Sequence, residues 1–250
     1  MKLENRVCII TGGVRDIGKS ISLKLAQEGA KLVINYFSNA EQAQSTLQEV
    51  KALGVDAILV QGDMTDAQDV QNLVAKAQEA FGQKIDLLVN VAGGLVQRKT
   101  IDEMTPEFFD LVMRLNLTST FMLTKYVTPH MSKGGSVVNI ASQAGRDGGG
   151  PGASAYATAK GAVMTFTRAM AKELGPKGIR VNALCPGVIS TTFHDTFTKD
   201  EVRQNIAAAT PLRREGAPDE VGDVVVYLAS DEASFLTGLN LDVNGGLLFS

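Results

Sequence analysis

The chain alternates from end to end between short apolar runs and segments of helical length. Several runs, such as residues 137–140, are apolar throughout rather than alternating, as expected for parallel strands that are buried on both faces. The strand-like runs are residues 6–11, 31–35, 57–60, 87–91, 136–141, 179–184 and 239–243. The intervening segments have helical spacing, for example Ile21 and Leu25 before a stop at Gly29. This order predicts an α/β fold with a doubly wound sheet of seven strands.

Composition limits the classes of ligand. The 250 residues are 44% hydrophobic and 20% charged, which is typical of a globular chain with one substantial core, and we expect a single domain over residues 1–250. The net charge is -3 and the Lys and Arg residues form no basic stripe, so we expect a small-molecule ligand rather than nucleic acid or a membrane surface. Because the sequence shows no signal-peptide region or long apolar span, we expect a cytoplasmic protein.

The two cysteines, Cys8 and Cys185, lie inside apolar runs and lack zinc-like spacing. This predicts buried thiols in a reducing compartment, with no disulfide and no metal site.

A glycine-rich turn, residues 11–18 (Thr-Gly-Gly-Val-Arg-Asp-Ile-Gly), follows the first strand directly and opens the first helix. Free N–H groups and the helix dipole at such a turn favour a pyrophosphate. A glycine-rich turn is a weak signal by itself, but its position after the first strand strengthens it.

Tyr156 and Lys160 are four residues apart and share one face if their segment is helical. A cation near a phenol favours the phenolate and lowers the tyrosine pKa, which makes tyrosine usable as a general acid or base. In isolation such a pair is usually a packed aromatic ring and a solvated cation.

Taken together, the motifs resemble the short-chain dehydrogenase/reductase family over nearly the whole chain. The residues that carry the resemblance are the 11–18 turn, Asn90-Val91-Ala92-Gly93, Asn116, Ser142, Tyr156, Lys160, Pro186-Gly187, Thr237-Gly238 and residues 243–246. The resemblance implies a Rossmann-type parallel sheet of order 3-2-1-4-5-6-7, flanked by helices. It also implies an NAD(P)(H)-dependent oxidoreductase that transfers hydride between nicotinamide and a carbonyl or alcohol.

In that family the equivalent of Tyr156 exchanges the substrate proton and the Ser142 hydroxyl bonds the substrate oxygen. Lys160 lowers the tyrosine pKa and holds the nicotinamide ribose, while Asn116 keeps a water in a proton relay. Simpler alternatives are that Ser142 only ends a strand and that Asn116 only satisfies a backbone group.

Two positions depart from the family pattern. Asp16 replaces the middle glycine of the turn, and Val91 replaces the second Asn of Asn-Asn-Ala-Gly. Since Asp tolerates left-handed backbone geometry, we expect Asp16 to cap the helix at Ile17, to point away from the phosphates and to leave dinucleotide binding intact. Val91 removes a polar contact but leaves the backbone of Ala92 and Gly93 available.

The cofactor expected from the second strand is NADP(H), with NAD(H) as an alternative. Tyr36 stands where NAD-preferring relatives have Asp, and Arg15 resembles the basic residue that NADP-preferring members use, although it is also compatible with a solvated loop cation. Asp63 resembles the residue that bonds adenine, or else caps the next helix. The cofactor-binding residues implied are Gly12, Arg15, Asp16, Ile17, Gly18, Tyr36, Ser38, Asp63, Met64, Asn90, Ala92, Gly93, Tyr156, Lys160, Pro186, Gly187, Ile189 and Thr191.

The substrate is expected near Arg98, Gln143 and Arg146, which flank the turn after the fourth strand and the loop before Tyr156. Two guanidiniums favour a carboxylate, and the glycine-rich loop resembles bacterial sugar-acid and keto-uronate reductases, whose substrate would be similar to 4-deoxy-5-hexoseulose uronate. Residues 188–210 are expected to form a substrate lid. The alternatives are a 3-oxoacyl-(acyl-carrier-protein) reductase and a catalytically idle dinucleotide sensor, against which the complete catalytic set argues.

The resemblance also implies an assembly. Members of the family usually form homotetramers through the long helices, here those containing Asn116 and Tyr156, and through the C-terminal strand.

Overall fold

The computed structural model describes residues 1–249, and its centre is a parallel sheet of seven strands in the order β3-β2-β1-β4-β5-β6-β7. Both the strand order and the doubly wound α/β fold that the sequence predicts are confirmed. The strands are β1 (Val7–Thr11), β2 (Lys31–Tyr36), β3 (Ala57–Gln61), β4 (Leu87–Asn90), β5 (Ser136–Ile140), β6 (Arg180–Pro186) and β7 (Asn240–Val243).

The central strand β1 shows why the runs are apolar on both faces. All five of its residues are buried, and successive side chains of a strand point to opposite faces of the sheet. Ile10 therefore packs in the hydrophobic core on one face, with Leu25 and Val225, while Ile9 packs in the core on the other face. An alternating polar pattern would leave one of these two cores unfilled.

Helices cover both faces of the sheet. They are α1 (Asp16–Gln27), α2 (Ala40–Ala52), α3 (Ala67–Phe81), α4 (Pro106–Met113), α5 (Ser119–Val127), α6 (Ala144–Asp147), α7 (Ser154–Leu174), α8 (Thr192–Phe197), α9 (Asp200–Ala209) and α10 (Pro218–Ala229). Their starts follow local rules: the Asp66 side chain accepts from the N–H groups of Gln68 and Asp69, and Thr105 caps α4 ahead of Pro106. None of the helices within residues 1–249 is long and apolar enough to cross a membrane.

A close helix contact brings the end of β5 next to α7. A Cβ on Gly145 in α6 would lie 2.7 Å from the backbone nitrogen of Gly161 in α7. Only glycine allows this approach, which holds the short α6 against the long helix. Ser142 and Tyr156, which are fourteen residues apart, consequently meet beside the sheet.

The strand order reverses at β1, because β2 pairs with one edge of β1 and β4 with the other. The loops after these strands diverge and leave a crevice at their carboxyl ends, which is where open α/β sheets bind ligands.

Candidate active site

A cavity of about 830 Å³ opens at the carboxyl ends of the strands and runs from the 11–18 turn to Ser142 and Tyr156. It is lined by nearly all of the residues predicted to bind cofactor or substrate. Three predicted residues do not line it: Asn90, Asn116 and Arg146.

The 11–18 turn allows a ligand to approach its backbone closely. Gly12 has a φ of +60°, and a Cβ on Gly18 would lie only 2.1 Å from the carbonyl oxygen of Gly12. No side chain caps the start of α1, so the first N–H groups of the helix remain available to an anion. A pyrophosphate fits this cradle, and the cavity continues from it to Ser142 and Tyr156.

Asn35, which the sequence reasoning missed, organises this end of the cavity. It is buried at the end of β2, where its Oδ1 accepts from the N–H of Gly12 at 3.3 Å and its Nδ2 donates to the carbonyl of Gly62 at 3.1 Å. One side chain thereby ties the turn to the ends of β2 and β3. A polar residue inside an otherwise apolar strand run was the available signal.

Asp16 adopts the left-handed geometry expected of it, with a φ of +50°. The expectation that it caps the helix is wrong. Its carboxylate instead accepts from the backbone N–H and the hydroxyl of Thr192, at 3.0 Å and 2.5 Å. Thr192 belongs to the segment predicted as the lid, so Asp16 joins the turn to that segment.

Arg15 takes part in the same contact between Asp16 and Thr192. Its guanidinium donates to the Thr192 hydroxyl at 3.2 Å and is 3.6 Å from the Asp16 carboxylate. The side chain is 60% exposed, so the pair with Asp16 is a weak surface interaction that a ligand phosphate can replace.

Asp63 also lines the cavity, beside Tyr36 and Ser38. The alternative that Asp63 caps the following helix is wrong, because Asp66 is the capping residue of α3. The Asp63 carboxylate accepts from the N–H of Thr65 at 2.8 Å.

The catalytic candidates converge at the centre of the cavity. Tyr156 and Lys160 lie on α7, and the Ser142 side chain lies near enough to the Tyr156 phenol to affect its pKa. The Lys160 ammonium is 5.7 Å from the centre of the Tyr156 ring. It is buried and donates to the carbonyl of Ile140 at 2.7 Å. The helical pairing of Tyr156 with Lys160 is thus present, with Ser142 as its third member.

Burial acts on the protonation of both side chains. Burial raises the pKa of Tyr156 above its usual value, and the hydrogen bond from Ser142 only partly offsets this. Burial also lowers the pKa of Lys160 to about 8. Tyr156 is therefore a protonated phenol that is ready to donate, and the role of Lys160 in lowering the tyrosine pKa stays a prediction.

Asn116 lies behind this group in a π-helical segment, Arg114–Thr118, between α4 and α5. It is fully buried, and its amide donates to the carbonyl of Gly94 at 2.9 Å while its Oδ1 accepts from the Gly94 N–H at 3.0 Å. A Cβ on Gly93 would lie 2.6 Å from this Oδ1 and 3.3 Å from the Lys160 ammonium. Asn116 therefore fixes the loop after β4 against Lys160.

Asn90 is buried below the loop and not at the cavity surface. Its Nδ2 donates to Asn139 at 2.8 Å, and Asn139 donates to Thr167 at 2.9 Å, so these side chains link β4, β5 and α7. Next to it, the Thr11 hydroxyl accepts from the N–H groups of Val91 and Ala92, both at 3.1 Å. This contact positions the loop although Val91 lacks a polar side chain.

The predicted pair of substrate arginines is not brought together. Arg146 points to the sheet edge, where its Nε donates to the Asp242 carboxylate at 2.6 Å and its Nη2 to the carbonyl of Asn240. Its assignment to the substrate site is corrected, because β7 satisfies the guanidinium. Arg98 does line the cavity, and it donates to the carbonyls of Phe197 and Pro151 at 2.8 Å and 2.9 Å. Gln143 lines it as well.

Residues 188–210 form two helices, α8 and α9, over the mouth of the cavity. Phe193 from α8 lies against the catalytic tyrosine, with ring centres 5.9 Å apart. The sequence predicted the whole segment as a lid but gave an individual role only to Thr191, and not to Thr192, Phe193 or His194. The repeated aromatic residues of the segment were the available signal.

Comparison with known proteins agrees with this geometry. A family model described as Enoyl-(Acyl carrier protein) reductase matches residues 12–248. Versicolorin reductase 1 of Aspergillus parasiticus is 36% identical over 98% of this chain and 97% of its own length. A 3-oxoacyl-(acyl-carrier-protein) reductase of Staphylococcus aureus is 35% identical over 96% of both chains.

Solved structures match over the same extent. A short-chain dehydrogenase of Burkholderia cenocepacia J2315, in complex with NADP, superposes with a TM-score of 0.92 at 30% identity, covering 99% of both chains. The NADH-dependent reductase A1-R', described as responsible for alginate metabolism, superposes with a TM-score of 0.90 at 31% identity, also over 99% of both.

Proposed function

The chain belongs to the short-chain dehydrogenase/reductase family and is an NAD(P)-dependent oxidoreductase that acts on a carbonyl or CH–OH group, and from this premise we propose that it reduces a ketone with NADPH. The observation that carries this proposal is the convergence of Ser142 and Tyr156 on the same cavity, with Lys160 buried beside them. Two hydroxyl donors in that position suit an oxygen that gains negative charge.

The residues have separable tasks. A bound reduced nicotinamide supplies the hydride. Ser142 donates to the carbonyl oxygen and polarises it, and Tyr156 delivers its proton to that oxygen as the charge develops. Since burial keeps the pKa of Tyr156 high, the tyrosine holds this proton until it is needed. The Lys160 ammonium stabilises the tyrosinate that is left and is placed to bond the cofactor ribose. We retain for Asn116 the proposed role of holding a water that returns the proton.

The preference for NADP(H) rests on the end of β2. Tyr36 stands at the end of β2 where NAD-preferring relatives have Asp, so this strand end places no carboxylate against a 2′-phosphate, and the exposed Arg15 lines the same cavity. NAD(H) is the alternative, since one similar structure holds NADP and another is described as NADH-dependent. Parallel titrations with NADPH and NADH, followed by nicotinamide fluorescence, measure the preference. A tighter Kd for NADH would refute it.

Two kinds of keto substrate are favoured by the relatives. The likeness to reductase A1-R' supports a keto sugar acid, and the likeness to the Staphylococcus aureus enzyme supports a 3-oxoacyl thioester. The carboxylate argument for the sugar acid loses Arg146, whose guanidinium is paired with Asp242. Turnover of each substrate class with NADPH, measured at 340 nm, separates the two.

The non-catalytic alternative is a dinucleotide sensor. Tight NADPH binding without turnover of a broad panel of ketones, keto acids and acyl thioesters would favour the sensor and refute the enzyme.

We further propose a homotetramer in a reducing compartment such as the cytoplasm. Exposed apolar side chains support self-association: Phe121 on α5 packs edge-to-face on Phe166 of α7, Leu239 directly precedes the outer strand β7, and Leu241 lies within it. The cysteines are free and buried. Light scattering after size-exclusion chromatography tests the assembly, and a monomer at micromolar concentration would refute it.

A further inference from the structure

We propose that the substrate is a neutral ketone with a bulky apolar group, preferably an aromatic ring, next to the carbonyl. This inference rests on the proposed reduction and names the substrate class of the same site.

The first observation is an aromatic wall over the catalytic tyrosine. The Phe193 ring lies 5.9 Å from that of Tyr156, 5.2 Å from that of Phe197 and 5.1 Å from that of His194, all in tilted or edge-on arrangements. Aromatic rings prefer such contacts with one another. A planar group attached to the reacting carbonyl would meet the same wall, because the carbonyl oxygen must reach Ser142 and Tyr156.

The second observation is the composition of the remaining wall. Besides Phe193, the apolar side chains of the cavity outside the 11–18 turn include Leu95, Leu111, Leu115, Val188, Val202, Ile206 and Leu247. Leu111 is 48% exposed and Val202 is 45% exposed, although both line the cavity. Covering such surface is favourable for an apolar substituent, whereas a polyhydroxylated chain would lose its hydration against these side chains.

The third observation is the charge of the mouth. Arg98 already donates to two backbone carbonyls, and Asp147 lines the same cavity and would repel an anion. Burial lowers the pKa of His194, which keeps this imidazole uncharged near neutrality. With Arg146 paired to Asp242 at the sheet edge, the mouth lacks the paired guanidiniums that bind a carboxylate bidentately.

Four commercial ketones test ring and charge separately. Ethyl benzoylformate and benzoylformate carry a phenyl ring and differ only in ester against carboxylate, and ethyl pyruvate and pyruvate form the same pair without the ring. With NADPH saturating, we expect kcat/KM to be highest for ethyl benzoylformate. We also expect each ester to exceed its acid by about tenfold or more, the effect of about 1.4 kcal/mol.

Substitution of Phe193 tests the wall itself, because the intrinsic reactivity of each ketone cancels when ratios are compared between proteins. In Phe193→Ala the preference for ethyl benzoylformate over ethyl pyruvate should fall about five- to tenfold, in line with the loss of one aromatic contact and its buried area. Phe193→Leu keeps an apolar side chain and should lose less. Phe108→Leu is the matched control, since Phe108 lies outside the cavity under Lys99, and its ratio should equal that of the wild type.

Two outcomes overturn the inference while the proposed reduction stands: faster turnover of the acids than of their esters, or an unchanged ring preference in both Phe193 variants. Absence of turnover for all four ketones and for acyl thioesters, with NADPH bound, refutes the proposed reduction instead. Nicotinamide fluorescence and circular dichroism of each variant show whether the cofactor site and the fold persist.

Discussion

The two ends of the cavity are held in place by different kinds of contact. We call the part around the 11–18 turn the cofactor end and the part under α8 the lid end. At the cofactor end, the 11–18 turn is fixed by backbone groups and by the buried side chains of Asn35 and Thr11. At the lid end, α8 is attached through side chains that are partly exposed, chiefly Thr192 to Asp16 and Phe193 to Tyr156. Many buried contacts together hold the 11–18 turn in place. Only a few contacts hold α8, so each of them contributes a measurable part of the free energy that fixes the helix. Substitutions should therefore have larger and less specific effects at the cofactor end.

The largest effect is expected at Tyr156, which lies between the two ends of the cavity. Tyr156→Phe removes the proton donor but keeps the ring against Phe193, so kcat should fall by about 10³-fold or more while the Kd for NADPH changes little. Steady-state rates and fluorescence titration measure both. Tyr126→Phe, on α5 and outside the cavity, is the control. Retention of a tenth of the wild-type rate would show that Tyr156 is not the donor.

At the cofactor end, Gly18→Ala should abolish tight binding. The added Cβ would lie 2.1 Å from the carbonyl oxygen of Gly12, and backbone atoms cannot yield as a flexible side chain does. We expect the Kd for NADPH to rise by at least about tenfold and the free energy of unfolding to drop by about 1–3 kcal/mol. Gly175→Ala is the matched control, since no atom lies within 4 Å of its added Cβ. An unchanged Kd in Gly18→Ala would mean that the turn does not contact the dinucleotide.

The pH dependence separates catalysis from stability at Lys160. Its folded pKa is about 8, below the usual 10.5, so the unfolded chain binds the proton more tightly. This residue therefore destabilises the fold below about pH 8, and the penalty is relieved as the pH rises towards 10.5. In the reduction, kcat/KM should fall above about pH 8 as the ammonium is lost, although Tyr156 is still protonated.

Lys160→Met provides the comparison. In chemical unfolding from pH 7 to 10, the free energy of unfolding of the wild type should rise relative to that of the variant as the pH rises. The variant should also lack the decline of kcat/KM near pH 8. If the free energy of unfolding of the wild type instead fell relative to that of the variant over this range, Lys160 would have a raised pKa and the burial argument would be wrong.

The smallest effect is expected at the contact that joins the two ends. Thr192→Val removes the hydroxyl that Asp16 accepts from, and Asp16→Gly removes the carboxylate. If the contact holds α8 over the cofactor, NADPH should dissociate about three- to tenfold faster in each single variant, with no further change in the double variant. Stopped-flow displacement measures this rate. Slower dissociation in Asp16→Gly would show that repulsion between its carboxylate and the phosphates dominates.

Most of the cofactor end was predictable because its signals are local. The apolar runs, the glycine spacing of the 11–18 turn and the order of Ser142, Tyr156 and Lys160 each depend on residues close in sequence, and the parallel sheet brings its strand ends to one edge. The errors involve partners that are distant in sequence. Asp16 bonds Thr192, which is 176 positions away, and Arg146 bonds Asp242, which is 96 positions away. The residues next to Asp16 and Arg146 in the sequence therefore could not show that Asp16 does not cap its helix or that Arg146 does not face the substrate.

The sequence by itself determined the class of fold, because periodicity is a property of short segments, and its resemblance to the short-chain dehydrogenase/reductase family implied the strand order and the candidate catalytic residues. Only the tertiary structure decided the electrostatics and the substrate mouth. Burial, which sums contacts from many elements, raises the pKa of Tyr156 and lowers that of Lys160. Folding likewise places Phe193 over the tyrosine and turns Arg146 away, and so decides which groups a substrate meets.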